Sequence, residues 1–419
     1  MSESAAAATR AAALLRTTDA IRARAQALLA RARAGGSAHF TIDDSAMASA
    51  VRTVVEVTRE RYPRLLFPYH SRWRHFEAGG VDRKAQLDAL LAGASAAEKA
   101  RAQIDLALVS VLLDAGAGPD WGYVETGSGQ RFTRSEGLGV ASFHAFCSGL
   151  FSSDPAGQPL RADAAALQAI ASEQLAQALQ VSGSNPLVGL DGRAGLLRRL
   201  GEVLGRDAVH FGAQGRPGHL FGHLTGCDGD SAVPAGTSVQ AHAILSALLD
   251  GLSGIWPAQN TIQGVPLGDC WPHPAARGPG LTDGWMPFHK LSQWLTYSLL
   301  EPFEWAGVQV QGLDALTGLP EYRNGGLFLD AGVIVPRDAQ LANRALQAGD
   351  EPIVEWRALT VALLDELAPL VRKELGQSPE QMPLACILEG GSWAAGRVLA
   401  QRLRGGSPPL NIVSDGTVF

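Results

Sequence analysis

The residue types able to do chemistry gather most densely between Pro287 and Asp330. Read as a helix, PFHKLSQWLTYSLLEPFEWAG puts Lys290, Trp294, Tyr297 and Glu301 on one face at i, i+4, i+7 and i+11. Phe288, Leu291, Leu295 and Leu299 form a second face that belongs in a core. Pro287 suits the first helical turn, where its missing N–H has no intrahelical partner. A short linker leads to LTGLPEYRNGGLFLDAG, a tight loop offering Glu321, Tyr322 and Arg323 between Pro320 and Gly325-Gly326. A carboxylate beside an aromatic ring and a guanidinium can stabilise a sugar oxocarbenium ion and orient water. Asn324 and the paired glycines let backbone approach a ligand, and the Lys290 ammonium over an indole can reach a substrate oxygen. The bland alternatives are a solvated lysine beside packed aromatics and a Glu–Arg pair that holds a turn.

A second dense segment is FPYHSRWRHFEAGGVDR, residues 67–83, with His70, Arg72, Trp73, Arg74, His75 and Glu77. Arginine and histidine among aromatics suit phosphate or carboxylate capture, and equally a polar seam between domains. Gly127-Ser128-Gly129, followed by Arg131 and Thr133 at a helix start, is a weak anion-binding signal. His219, His223 and Cys227, spaced i, i+4, i+8 with Asp228 next, would suit zinc if helical. Asp269, His273 and His289 are a weaker metal set. Neither has the compactness of HExxH, so no metal and no cofactor is assigned. No GxGxxG opens a βαβ unit, and there is no Walker loop or GxSxG elbow.

Helical periodicity dominates the elements that must position these groups. Ile21, Ala25, Leu28 and Leu29 share a stripe, with arginines opposite. Asp43, Asp44 and Ser45 offer caps for a helix to about Arg61, ended by Pro63. Residues 95–115 read as a long buried helix, and WGYVETGSGQRF as a short hairpin. Thr133 and Glu136 form a capping-box pattern for a helix through Phe151. Further helices are expected at about 162–180, 191–204, 237–256, 287–305, 353–376 and 383–404, with proline and glycine densest at 264–284. Strand signals reduce to the hairpin, 308–310 and the NIV near the C-terminus, which makes the fold mainly α. The expected divisions are a frayed or flexible segment 1–17, an N-terminal helical part 18–160 and a C-terminal helical part 161–419 that carries the catalytic motifs, with one compact domain overall as the alternative.

The 419 residues are 46% hydrophobic and 18% charged, enough for a large core. The net charge of −6 and scattered arginines argue against nucleic acid as a partner. No apolar run of membrane-spanning length occurs, and MSESAAAATRAAALLR lacks the order of a secretory signal. Cys147, Cys227, Cys270 and Cys386 lie far apart without CxxC spacing, which points to free thiols in a reducing cytoplasm. The alanine- and arginine-rich start is either exposed or a means of homo-oligomerisation.

The runs HSRWRHFEAGGVDR, PFHKLSQWLTYSLLEP, LTGLPEYRNGG and PPLNIVSDGTVF resemble the uracil catabolism protein 4 family, from about Ala20 to Phe419. The resemblance implies a part in uracil degradation, along a route that opens the pyrimidine ring to a ribosylurea species. The C-terminal half is more remotely similar to the queuosine 5′-phosphate N-glycosidase (queuosine salvage) family. That likeness implies an all-α fold related to helix-hairpin-helix DNA glycosylases. Its phenylalanine-x-lysine motif corresponds to Phe288-His289-Lys290, and its aspartate-tyrosine-arginine motif to Glu321-Tyr322-Arg323. GSGQRFTRSEGLGVASFHA is similar to its sugar-side segment. Glu321 departs from the pattern by one methylene, which moves the carboxylate.

Together these imply hydrolysis of the N-glycosidic bond of ribosylurea, or its 5′-phosphate, to urea and the sugar. Glu321 would stabilise the oxocarbenium ion and activate water. Lys290 would bind a ribose hydroxyl or hold Glu321 ionised. Tyr322 and Trp294 would frame the sugar, with His289 and His75 among the binding groups. Arg323, Arg72 or Arg74 would hold a phosphate. Urea leaves poorly as an anion, so an acid is needed, and Asp269 is the candidate. The alternatives are a metal-dependent amidohydrolase or deaminase of the same pathway, and a non-enzymatic helical partner of a pathway enzyme.

Overall fold

A computed structural model describes residues 3–227, 232–255 and 260–413. Helices dominate, and each sheet among the described residues has only two short strands, so the architecture is mainly α as the periodicity predicts. The described residues form two compact units. Unit one takes 3–70, 260–294 and 312–413; unit two takes 71–227, 232–255 and 295–311. Neither is continuous in sequence. The helix Lys290–Trp305 gives residues 290–294 to unit one and 295–305 to unit two.

In unit one the alanine-rich start, expected as a frayed helix or tail, is a helix from Glu3 to Leu15. Its small side chains let Ala8, Ala11, Ala12 and Leu15 bury against Ile262, Leu267 and Cys270. The helix Thr18–Arg33 starts at Thr17, whose hydroxyl accepts the Ala20 N–H. Its stripe of Ile21, Ala25, Leu28 and Leu29 is buried. Arg24 departs from the expected exposed face: it is buried and donates to the Thr282 hydroxyl. Asp43 caps a 3-10 turn that leads into the helix Met47–Arg61, which ends at Tyr62, just before Pro63. The 25-residue helix Glu351–Leu375 is buried along most of its length and packs on Thr18–Arg33.

Short strands brace unit one. Phe40–Ile42 runs antiparallel to Ile334–Pro336, with Thr41 opposite Val335. Cys270–Pro272 runs antiparallel to Trp285–Pro287, with Trp271 opposite Met286. Pro287 therefore ends a strand rather than opening a helix. The helix begins at Lys290, after His289 turns the chain with φ of +50°. The expected helix at 383–404 is interrupted: Leu384–Ile387 passes through a π-turn at Leu388–Ser392 before Trp393–Arg404.

Unit two is built on the helix Ala96–Leu113, capped by the Ser95 hydroxyl on the Glu98 N–H and buried along almost its whole length. The expected hairpin forms, Tyr123–Val124 against Arg131–Phe132. The helix Arg134–Cys147 starts where predicted, but Thr133 makes no side-chain cap, because Arg134 takes a positive φ of 54°. It stops short of Phe151. The stretch 162–180 is two short helices, Ala164–Ala169 and Ser172–Ala178. Leu190–Arg206 and Ala241–Leu252 follow, and Ser238–Gln240 pairs in parallel with Gln309–Gln311. Among the described residues no helix is long and apolar enough to cross a membrane.

Candidate functional site

Glu321 is not on a tight loop. It is the N-cap of the helix Tyr322–Asp330, with extended backbone at φ −118° and ψ 167°. Its carboxylate accepts the N–H groups of Arg323 at 2.7 Å and Asn324 at 2.5 Å. A helix start leaves such donors without intrahelical partners and favours negative charge, so the turn holds this carboxylate in one orientation. Asn324 ties the turn down: its amide donates to the Leu319 carbonyl and its oxygen accepts from the Ser392 hydroxyl. Gly325 serves packing rather than ligand approach. A Cβ there would lie 2.7 Å from the Trp356 indole, whose N–H donates to the Gly325 carbonyl. Burial raises Glu321 above the ordinary carboxylate range, opposed by the two backbone N–H groups and by the charges of Lys290 and His70.

Lys290 reaches the same place through a second fixed turn. Its N–H donates to Asp269 Oδ2 at 3.0 Å, so Asp269 holds the start of its helix. Arg357 grips Asp269 with two bonds of 2.8 Å, and the Trp271 indole N–H adds a third donor. Burial alone would raise Asp269, but the Arg357 guanidinium and these donors hold it well below the usual carboxylate range. Asp269 is therefore an ionised anchor, which corrects its expected role as acid. Arg357 also donates through Nε to the Pro320 carbonyl, one residue before Glu321, and lies 4.0 Å from the centre of the Phe288 ring. One buried guanidinium thus connects the Phe288-His289-Lys290 turn to the Glu321-Tyr322-Arg323 turn.

A third group joins them. His70 Nδ1 lies 2.8 Å from Glu389 Oε2 on the π-turn. The other Glu389 oxygen accepts from Arg61 at 2.7 Å and from the Tyr62 hydroxyl at 3.1 Å. Burial would raise Glu389, yet the hydrogen bond and charge of His70, with Arg61, hold it down at about 2. Gly391 lets the π-turn lie against the helix Met47–Arg61: a Cβ there would come within 2.3 Å of the Thr58 hydroxyl and 2.6 Å of the Val54 carbonyl. π-turns of this kind recur at functional sites. Sequence reasoning singled out the segment of His70 but missed Glu389, Arg357 and Arg61. An i+4 helical pattern hides Glu389, and only its flanking Gly390-Gly391 signals an irregular turn.

The remaining expected residues divide clearly. Trp294 is buried one turn along from Lys290. Tyr322 is partly exposed, with the Arg323 guanidinium 4.7 Å from its ring centre, and Arg323 also donates to the Gly406 carbonyl. His289 is buried with Nε2 3.0 Å from the Leu15 carbonyl, a structural contact rather than a binding group. Arg72, Arg74 and His75 belong to unit two. Arg72 is fully buried, donating to Ser110 at 2.6 Å and paired with Asp114 at 3.0 Å. Arg74 pairs with Glu301 at 2.7 Å and Glu77 at 3.0 Å. These two arginines fasten the unit, which replaces the expectation that they hold a phosphate.

The zinc pattern dissolves for a local reason. The helix His219–Thr225 ends at Gly226 in the left-handed region, so buried Cys227 leaves the i, i+4, i+8 register. Asp228 and the last residues of the PPLNIVSDGTVF run lie outside the described residues. Asp269, His273 and His289 fail as a set because Asp269 and His289 have the other partners given above. Among the described residues no group of three histidine, cysteine or acidic side chains is arranged to hold a metal ion. Unit two also has a cleft of about 540 Å³, lined in part by His210, His223, His242 and Asp250.

A mainly helical protein with a half-buried, backbone-held carboxylate, a lysine and a carboxylate-held histidine around one helix start is the class that fold and site define. Residues 14–419 match the family described as "Protein of unknown function (DUF1688)", and the chain belongs to it. It is 41% identical to Protein urg3 of Schizosaccharomyces pombe over 411 residues, covering 95% of this chain and 96% of that protein. It is 39% identical to Uracil catabolism protein 4 of Lachancea kluyveri over 415 residues, covering 92% and 93%.

Proposed function

We propose that this protein acts in uracil catabolism and hydrolyses the N-ribosidic bond of ribosylurea or its 5′-phosphate, giving urea and ribose or ribose phosphate. The name of the Lachancea kluyveri relative supports the pathway. The observation that carries the reaction is the Glu321 carboxylate, fixed by two backbone N–H groups and acted on by the Lys290 charge. Cleavage of such a bond builds positive charge on C1 of the sugar, and a preoriented carboxylate in a desolvated site stabilises that charge. The same carboxylate can take a proton from the water that adds to C1. Lys290 favours the ionised form of Glu321 and can donate to a ribose hydroxyl. Tyr322, Trp294 and Arg323 would form the sugar and phosphate side of this centre. The helical architecture is compatible with the remote likeness to queuosine salvage glycosidases, which we adopt as the fold reading.

The test is incubation of the purified protein with synthetic ribosylurea and with its 5′-phosphate, assaying urea and free sugar. Both products should appear together. Glu321→Gln should lower turnover by about 10³-fold, the scale of removing a preoriented electrostatic group. Glu321→Gln should also unfold slightly earlier, because one of the two oxygens that accept backbone N–H groups becomes a donor, a loss of about 1–3 kcal/mol. Ammonia in place of urea would replace this reading with an amidohydrolase.

A further inference from the structure

We propose that His70, held by Glu389, is the acid that protonates the departing urea nitrogen; this rests on the N-ribosidase reading above. Urea departs poorly as an anion, so bond cleavage needs a proton donor. Asp269 is excluded by the two hydrogen bonds through which Arg357 holds both its oxygens. Glu321 must be ionised to stabilise positive charge, and Lys290 serves that ionisation. His70 remains, and imidazole is suited to proton transfer near neutral pH.

The geometry defines which nitrogen acts. Glu389 is ionised and can only accept, so Nδ1 of His70 carries hydrogen towards it at 2.8 Å. Nε2 is then the atom left to meet a substrate. The backbone fixes the ring as well: the His70 N–H donates to the Ala385 carbonyl at 2.9 Å, and Trp393 lies 5.9 Å from its centre. The charged and titratable groups around the imidazole are Glu389 on the π-turn, Arg61 and Tyr62 at the end of the helix Met47–Arg61, and Glu321, on which Lys290 also acts. In the reaction the C1–N bond breaks and its electron pair stays on nitrogen, which takes the Nε2 proton. The oxygen of water bonds to C1, and a water proton passes to Glu321. Exchange of that proton with solvent, and reprotonation of His70, restore the enzyme. Glu389 touches no reacting atom and is a positioning residue.

The test compares two substrates. Ribosylurea needs an acid, whereas 4-nitrophenyl β-ribofuranoside releases a stable anion that does not. His70→Asn keeps an N–H towards Glu389 and His70→Gln serves as a second variant; thermal unfolding confirms that each is folded. Both should lose about 10²- to 10³-fold in urea release, the range expected for general acid catalysis, but less than about tenfold with the nitrophenyl riboside. Both should also lose the alkaline fall of kcat/KM for ribosylurea, and Glu389→Gln should shift that fall. Glu321→Gln should lose activity on both substrates. Equal losses on the two substrates in the His70 variants, or an alkaline limb left in place, would overturn the assignment. A wild-type protein that releases no urea overturns the ribosidase reading itself, a different outcome.

Discussion

The segment 67–83 feeds both units and is treated differently in each. Arg72 and Arg74, in unit two, have their guanidinium groups committed to Asp114, Ser110, Glu301 and Glu77. Burial pushes Glu301 up to about 7, against the pull of Arg74 and Ser71. The imidazole of His70, in unit one, is held through Nδ1 by a carboxylate with two other donors of its own. Both regions are dense in charge and buried. In one, charges are paired with each other and hold the unit together. In the other, carboxylates are matched to backbone and to fixed side chains, and a reactive atom is left over. Charge density in a sequence therefore does not identify a site; the direction in which each charge is satisfied does.

The largest test of this contrast is Arg72→Met. It would leave Asp114 buried beside a thioether, and breaking a buried pair on one side costs about 3–5 kcal/mol. Thermal or urea unfolding should show that loss. The folded fraction should keep its KM for a phosphorylated substrate. A stable variant with a raised KM would mean that Arg72 binds phosphate after all and that the two regions are not different in kind.

Gly391→Ala probes unit one more gently. The new Cβ would press on the Val54 carbonyl and the Thr58 hydroxyl, and overpacking of this sort costs about 1–3 kcal/mol. The π-turn would yield, taking Glu389 away from His70. Urea release should fall more than the unfolding midpoint suggests, and nitrophenyl riboside cleavage should fall less. A loss confined to stability would separate the π-turn from the chemistry.

Much of the scaffold was legible because it follows periodicity. The stripe of Thr18–Arg33, the long buried helix Ala96–Leu113, the Asp43 cap and the hairpin at Tyr123 need only local rules. The Lys290 and Glu321 motifs were visible as well, since their residue types are unusual for a surface. What was hidden depends on distant pairing. Asp269 looks like an acid until Arg357, 88 residues later, takes both its oxygens. Glu389 looks like one turn of an ordinary helix until its π-turn brings it to Arg61 and His70. The capping box at Thr133 fails because Arg134 adopts a positive φ, which residue identity does not forecast.

The smallest expected effect is the most diagnostic for Lys290. Its charge and that of His70 favour the ionised form of Glu321, while burial opposes it. Lys290→Met removes one of the two favourable charges, so protonated Glu321 becomes easier to form and its pKa rises further. If catalysis needs the carboxylate, the acidic limb of kcat/KM must then move to higher pH. A move of about one unit corresponds to about 1.4 kcal/mol of lost interaction. If Lys290 serves only to hold a ribose hydroxyl, KM rises and the limb stays where it is. Because Asp269 receives the backbone N–H of residue 290 rather than its ammonium, the helix start survives the substitution. The limb therefore reports on charge and not on a displaced turn, and its position decides which of the two roles Lys290 has.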